Sequence, residues 1–160
     1  MFHITLITVG KLKEKFYLAA GEEYIKRLGA YCKFSLIELP EQRLPENPNP
    51  TQIASGLAKE AEQILERIPK GAWFCVLTPE GKELSSEAFA QKLEQIKVSG
   101  KNSVCFLIGS SFGIDPKVKG LADFRLSFGP MTFPHHLMRV MALEQIYRAE
   151  TILAGTPYHK

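Results

Sequence analysis

The sequence predicts an open, mostly parallel α/β sheet flanked by helices, a single domain over residues 1–160. Three observations carry this. Two short runs, Ala72–Leu77 and Val104–Ile108, are apolar at consecutive positions, as strands buried on both faces are. Segments apolar at helical spacing alternate with strand-like ones, giving the order β-α-β-loop-α-β-α-β-α-β-α. Gly- and Pro-bearing turns punctuate that order, as in Pro69-Lys-Gly71, Pro79-Glu-Gly81 and Gly109–Gly113.

Phe2 to Val9 alternates through Ile4 and Leu6, slips at Ile7, and is read as the first strand, closed by Gly10. A helix over Glu14–Leu28 follows, with Phe16, Ala20, Tyr24 and Leu28 at i, i+4 spacing. Cys32 to Leu39 is the second strand. Pro40 to Pro50 holds four prolines, two asparagines and Arg43, and is expected to be a long, exposed, mobile loop. It reads either as a surface connection or as a contact loop for a large partner. Thr51 is placed as the cap of the next helix, whose apolar stripe is Ile53, Leu57, Ala61, Ile64, Leu65 and Ile68. After the run ending at Leu77, Ser85 or Ser86 caps a helix with Phe89, Leu93 and Ile96 inward. The run Ser103–Ile108 leads into Gly109-Ser-Ser-Phe-Gly113, and Asp115-Pro116 opens a short helix in the favoured cap-then-Pro order. Asp123 to Phe128 is the last strand. Pro134 then opens a helix apolar on nearly every side, and a helix of that kind is buried all round. Its own sheet covers one side, so something else is expected to cover the other.

Composition bounds the function. With 45% hydrophobic and 23% charged residues the chain is balanced like a soluble globular protein, and its net charge of +3 permits a polyanionic partner without arguing for one. The three cysteines form no Cys-x-x-Cys pair, which suits a reducing cytoplasm. The start, Met-Phe-His-Ile-Thr-Leu, lacks the features of a signal peptide, and no apolar run approaches the roughly 20 residues of a membrane span, so a soluble cytoplasmic protein is expected.

In open α/β sheets ligands settle at the carboxyl ends of strands. Three late strands end in Gly- or Pro-bearing turns, at Leu77–Lys82, Gly109–Gly113 and Phe128–Phe133, and each alone also reads as an ordinary strand-to-helix turn. No Gly-x-Gly-x-x-Gly follows the first strand, no Walker lysine pattern and no Gly-x-Ser-x-Gly elbow occur, and His135-His136 have no ligand at metal spacing. Glu144 and Arg148 stand at i, i+4 and read first as a helix ion pair. Arg139, on so apolar a helix, needs a carboxylate, phosphate or carbonyl partner. The tail Pro157-Tyr-His-Lys160 offers rings that stack on a base and an imidazole that exchanges protons near neutrality, or simply a packed Tyr with solvated neighbours.

Met131-Thr-Phe-Pro-His135, Leu137 through Arg139, Glu144-Gln145, Tyr147-Arg-Ala149, Pro157-Tyr-His-Lys160, Leu6 through Lys11 and the Ile108-Gly109 loop closely resemble the bacterial ribosomal RNA large subunit methyltransferase H family of the SPOUT superfamily. The resemblance covers essentially the whole chain. It implies a deep C-terminal trefoil knot and a homodimer through the last helix, and the residues themselves lead to the expectation of no metal and no membrane partner. It also implies methyl transfer from S-adenosylmethionine to N3 of a pseudouridine in 23S ribosomal RNA of the assembled ribosome. The implied cofactor residues are Leu77, Gly109 and Phe128, Gly129, Pro130, Met131, Thr132 and Phe133. His159, or a water it orients, becomes the expected acceptor of the N3 proton, with Tyr158 against the target base and Arg148 assisting. Arg139, Arg148, Lys160 and Arg43 are the expected RNA contacts, joined by Lys11, Lys13 and Lys15, and the tail of one subunit is expected to serve the pocket of the other. Two alternatives stay open: an inactive ribosome- or RNA-binding SPOUT dimer, and a SPOUT enzyme with another RNA target such as transfer RNA. The sequence departs from the family pattern at Ser110, where a second glycine is usual, and at His136, where Gln is frequent; a left-handed backbone at Ser110 would cost about 1 kcal/mol.

Overall fold

The computed structural model describes all residues, 1–160. The elements are β1 (His3–Val9), α1 (Lys15–Leu28), β2 (Lys33–Leu39), α2 (Pro50–Arg67), β3 (Trp73–Glu83), α3 (Ser86–Val98), β4 (Ser103–Ile108), α4 (Pro116–Leu121), β5 (Phe124–Ser127) and α5 (His135–Ala154). The five strands form one sheet in the order β2-β1-β4-β3-β5, and every pairing is parallel. A parallel sheet needs helical crossovers, and these cover both faces. Ile4, Leu6, Phe106 and Leu126 pack with Leu28 of α1, Leu93 of α3 and Leu143 and Ile146 of α5, while Ile7, Val76 and Leu107 pack with Ile64 of α2 and Val118 of α4 on the other face. That two-sided burial explains why β3 and β4 are apolar at consecutive positions.

Several local expectations need correction. The cap of α2 is Asn49, not Thr51: its side chain accepts from the Gln52 N–H at 2.8 Å and the Gln52 side chain accepts from the Asn49 N–H at 2.9 Å, with Pro50 supplying the first helical turn. Phe16 is 67% exposed and Leu65 42%, so neither belongs to its stripe; Gly21 takes the inward place on α1 and meets Leu143. β3 runs on past Leu77 to Glu83 through an irregularity, because Leu77 and Lys82 both register with Leu126 and residues 78–81 loop out between them. The Pro-rich loop is tied down: the Gln42 N–H donates to Glu60 Oε2 at 2.8 Å, and Leu44 lies against Gly56 of α2.

Helix α5 packs between α1 and α3, and no residue from His135 to Leu153 is fully exposed. Arg139, Ala142, Leu143, Ile146, Ala149 and Glu150 form its buried face. Leu137, Val140, Met141, Glu144 and Arg148 are half-covered. The helix ends at Gly155 in the left-handed conformation, φ 72°.

Candidate active site

The carboxyl ends of β3, β4 and β5 bring the three Gly- and Pro-bearing loops to one cleft of about 370 Å3, within the range of small-molecule sites. Leu77, Gly109, Phe128, Gly129, Met131, Thr132 and Phe133 line it; exposed Pro130 does not. Thr78, Pro79 and Glu80 of the bulge, Ile114, Lys119, His135 and Met138 complete the wall.

The loops hold one another. A Cβ on Gly109 would stand 2.4 Å from the Gly113 carbonyl oxygen and 2.5 Å from Ile114 Cγ1, so the turn closes only over a glycine. The Gly113 N–H donates to the Ser110 carbonyl at 2.9 Å. Ser127 stitches the first loop to the third, donating to the Pro79 carbonyl at 3.0 Å and accepting from the Gly129 N–H at 3.0 Å. Ser110 does not take a positive φ, so the departure from a second glycine carries no left-handed strain. Its hydroxyl instead donates to Glu60 Oε1 at 2.8 Å, and the Ser111 N–H and hydroxyl both donate to Glu41 Oε1, at 3.2 and 2.6 Å.

Electrostatics divide the cleft. Burial raises the carboxyl pKa of Glu60, against the lowering pull of the Gln42 and Ser110 donors. At the rim, the Lys119 ammonium donates to Glu80 at 2.6 Å and, with Thr78, holds the Glu80 carboxyl down at about 2. Desolvation, with His136 beside it, lowers the pKa of His135.

The residues expected to do proton chemistry form a second cluster, built on α5 and the tail. Arg148 pairs with Glu144 at 2.6 Å, its guanidinium stands 4.8 Å from the centre of the Tyr158 ring, and the Tyr158 hydroxyl donates to Glu144 Oε1 at 3.3 Å. Burial, then contacts with Tyr24 and Glu144, push the phenol up to about 12, so Tyr158 is a donor near neutrality. An arginine N–H can only donate, so His159 Nδ1 accepts from Arg148 at 3.1 Å, and Nε2 carries the proton given to Glu87 Oε1 at 2.7 Å. Both imidazole nitrogens are therefore engaged, and none of these residues lines the three-loop cleft. A second cleft of about 480 Å3 borders both regions: it shares Phe128 and Gly129 with the first and Glu144 with the tail cluster, and its other walls combine Tyr24, Leu84, Phe89, Val140 and Met141 with Glu83, Ser85, Ser86 and Gln145.

Arg139 is a correction. It is 2% exposed, donates to Glu38 Oε2 at 2.7 Å and to the Gly10 carbonyl at 2.8 Å, and so fastens α5 to the ends of β1 and β2 rather than facing RNA. Arg43, Lys160, Lys11, Lys13 and Lys15 are exposed. Residue-by-residue reading missed Glu60, although it stands with Ile53, Leu57 and Ile64 on the inward face of α2. A carboxylate in that position was the legible signal. Glu41 left no such signal, since its partner lies 70 residues away. No group of three or more His, Cys, Asp or Glu side chains converges as a metal site, and no helix is long and apolar enough to cross a membrane.

The family described as "Predicted SPOUT methyltransferase" matches residues 2–159. A ribosomal RNA large subunit methyltransferase H of Limosilactobacillus reuteri is 46% identical over 158 residues, covering 99% of each chain, and one of Bifidobacterium adolescentis is 48% identical over 157 residues, covering 98% of this chain and 99% of its own. Among solved structures, a methylase-family protein of Haemophilus influenzae superposes with a TM-score of 0.51 at 12% identity, over 99% of this chain and 70% of its own. A Legionella pneumophila methyltransferase solved with bound SAM also gives 0.51, at 14% identity, over 92% of this chain and 66% of its own. These two share the fold. With a full-length family match, near-half identity along the chain and the three-loop cleft in place, this chain belongs to the SPOUT methyltransferases, among the ribosomal RNA large subunit methyltransferase H proteins.

Proposed function

We propose that this protein methylates N3 of a pseudouridine in 23S ribosomal RNA of the assembled ribosome, using S-adenosylmethionine. The observation that carries the reading is the convergence of three strand-end loops, closed over Gly109, on one cleft of suitable size. When bound, the cofactor supplies an electrophilic methyl on a sulfonium, a group that needs no further activation. The chain's own task is then to bind, align and handle one proton. Backbone amides and carbonyls of the 109–113 and 128–133 loops suit the edge of an adenine, and Leu77, Ile114 and Met138 supply apolar walls.

The imide N3–H must leave as a proton while its nitrogen forms the new bond to carbon. His159 is the candidate acceptor, and it frees a lone pair only by releasing the Arg148 N–H from Nδ1. Arg148, once released, is free to hold a uracil carbonyl or phosphate; Lys160 and Arg43 are further candidate RNA contacts. Within one chain the tail cluster and the cofactor cleft do not share a residue. A second copy covering the half-exposed α5 face and the cleft around Val140 and Met141 would place its own tail near the cofactor, giving a composite site in a homodimer. A trefoil course, with the 128–134 segment threaded beside the other two loops, suits the same convergence. The modest net charge of +3 favours a preassembled ribosomal surface over free RNA, which sets the work in the cytoplasm. Mass spectrometry of 23S ribosomal RNA from cells lacking the gene tests the reading: one methyl should vanish from a pseudouridine and return with the wild-type gene, and an unchanged RNA would refute it.

A further inference from the structure

The 40–49 loop and the cofactor cleft share two carboxylates that the methyl-transfer chemistry does not use. Glu60, 5% exposed, reaches from α2 with one oxygen on the Ser110 hydroxyl at 2.8 Å and the other on the Gln42 N–H at 2.8 Å. Glu41, on the loop itself, takes both the N–H and the hydroxyl of Ser111. Ser110 and Ser111 lie inside the turn whose backbone walls the cleft, between Gly109 and Gly113. A buried carboxylate is costly unless each oxygen has a donor, so a turn that moves the Ser110 hydroxyl away leaves Glu60 half-satisfied.

We infer that Glu60 is a positioning residue for the cofactor cleft, clamping the Gly109–Gly113 turn through Ser110. Through the same carboxylate and through Glu41, residues 41 and 42 of the Pro-rich loop are coupled to that turn. The inference rests on the proposed use of the cleft for S-adenosylmethionine. Coupling is reciprocal: what settles the turn steadies residues 41 and 42, and a ribosomal surface that seats the loop favours the cofactor-ready turn. Ser110 is central, since a glycine there would leave Glu60 without that donor.

The test uses calorimetry with S-adenosylmethionine and amide hydrogen exchange on the full chain. Glu60→Ala and Ser110→Ala should each weaken cofactor binding about tenfold. Glu60→Gln should stay within about threefold of the parent, because the amide oxygen still accepts from Gln42 and its nitrogen can donate to Ser110. In the parent, saturating cofactor should slow exchange at the Gln42 amide severalfold; in Ser110→Ala, which keeps only the Glu41–Ser111 link, that protection should fall by at least half. Parental affinity in both folded alanine variants, or exchange at Gln42 indifferent to cofactor in the parent, overturns the inference. If Glu60→Ala does not fold, Ser110→Ala, which removes only a hydroxyl, decides alone. A parent that takes up no cofactor refutes the proposed function as well, whereas a binding parent matched by its variants refutes only the coupling.

Discussion

Replacing Gly109 by Ala puts one methyl where the fold has no space. The added Cβ would sit 2.4 Å from the Gly113 carbonyl oxygen, 2.5 Å from Ile114 Cγ1 and 2.9 Å from the Gly113 carbonyl carbon. Ordinary contact begins near 3.4 Å, so the nearest pair is about 1 Å too close, and two of the three neighbours are backbone atoms that no rotamer change can move. The turn itself must shift. Overpacking of this kind costs about 1–3 kcal/mol, which for a domain of this size lowers Tm by roughly 2–12 °C. The effect on the cleft should be larger than on the fold, because the displaced atoms are its wall: S-adenosylmethionine affinity should fall by at least about tenfold. Gly120→Ala in α4 is the control. Nothing lies within 4 Å of a Cβ there, and alanine in a helix is neutral or stabilising by up to about 1 kcal/mol. Calorimetric titration with scanning calorimetry separates the outcomes. If Gly109→Ala binds with parental affinity, the turn does not wall the cofactor and the assignment of the cleft is wrong.

Four further outcomes follow from the same structure. Met141→Asp, placing a charge in the cleft beside α5, should leave only monomers or unfolded chains in sedimentation where the proposed homodimer is expected of the parent, and take cofactor binding with it; a variant that self-associates and binds cofactor like the parent would refute the proposed interface. His159→Ala should slow methylation of ribosomes by about 100-fold or more with little change in cofactor affinity, and a wild-type rate across the pH range removes His159 as proton acceptor. Arg139→Ala should cost about 1–3 kcal/mol in urea unfolding, because it leaves the buried Gly10 carbonyl without its donor while the exposed Glu38 returns to water, with any loss of RNA affinity following only from unfolding. The Glu80 carboxyl is depressed to about 2 from an ordinary 4.5, so its stabilisation is full above pH 4.5 and is lost as pH falls towards 2. The pair is half-exposed and worth at most about 1 kcal/mol, and Lys119→Met should flatten that acid slope in urea midpoints, while a slope equal to the parent's would assign it to other carboxylates.

Local pattern revealed some parts of this molecule and long-range pairing hid others. Ser103–Ile108 was legible as a strand because burial on both faces leaves a continuous apolar run, and Asp115-Pro116 as a helix start because cap and proline are adjacent in sequence. The three loops were legible as weak signals singly. What made them one site, the placement of β3 between β4 and β5, is a property of strand order that no periodicity encodes. The Asn49 cap is hidden in the sequence because Pro50 closes a Pro-rich stretch and so looks like the end of a loop instead of the first turn of a helix. Arg139 stands out in the sequence as a cation needing partners, but Glu38 is 101 residues away and only the fold shows that it supplies one. The tail motif pointed to chemistry, yet not to the position of His159 between Arg148 and Glu87, which sets its tautomer and engages both its nitrogens.

The most direct test of the central claim is transfer of a labelled methyl from S-adenosylmethionine by the purified protein, compared on assembled ribosomes lacking the modification, protein-free ribosomal RNA and transfer RNA. The account predicts about one methyl per ribosome, on N3 of a pseudouridine in 23S ribosomal RNA, and little on either free RNA. Efficient methylation of free RNA or transfer RNA, or no transfer to ribosomes at all, would contradict it.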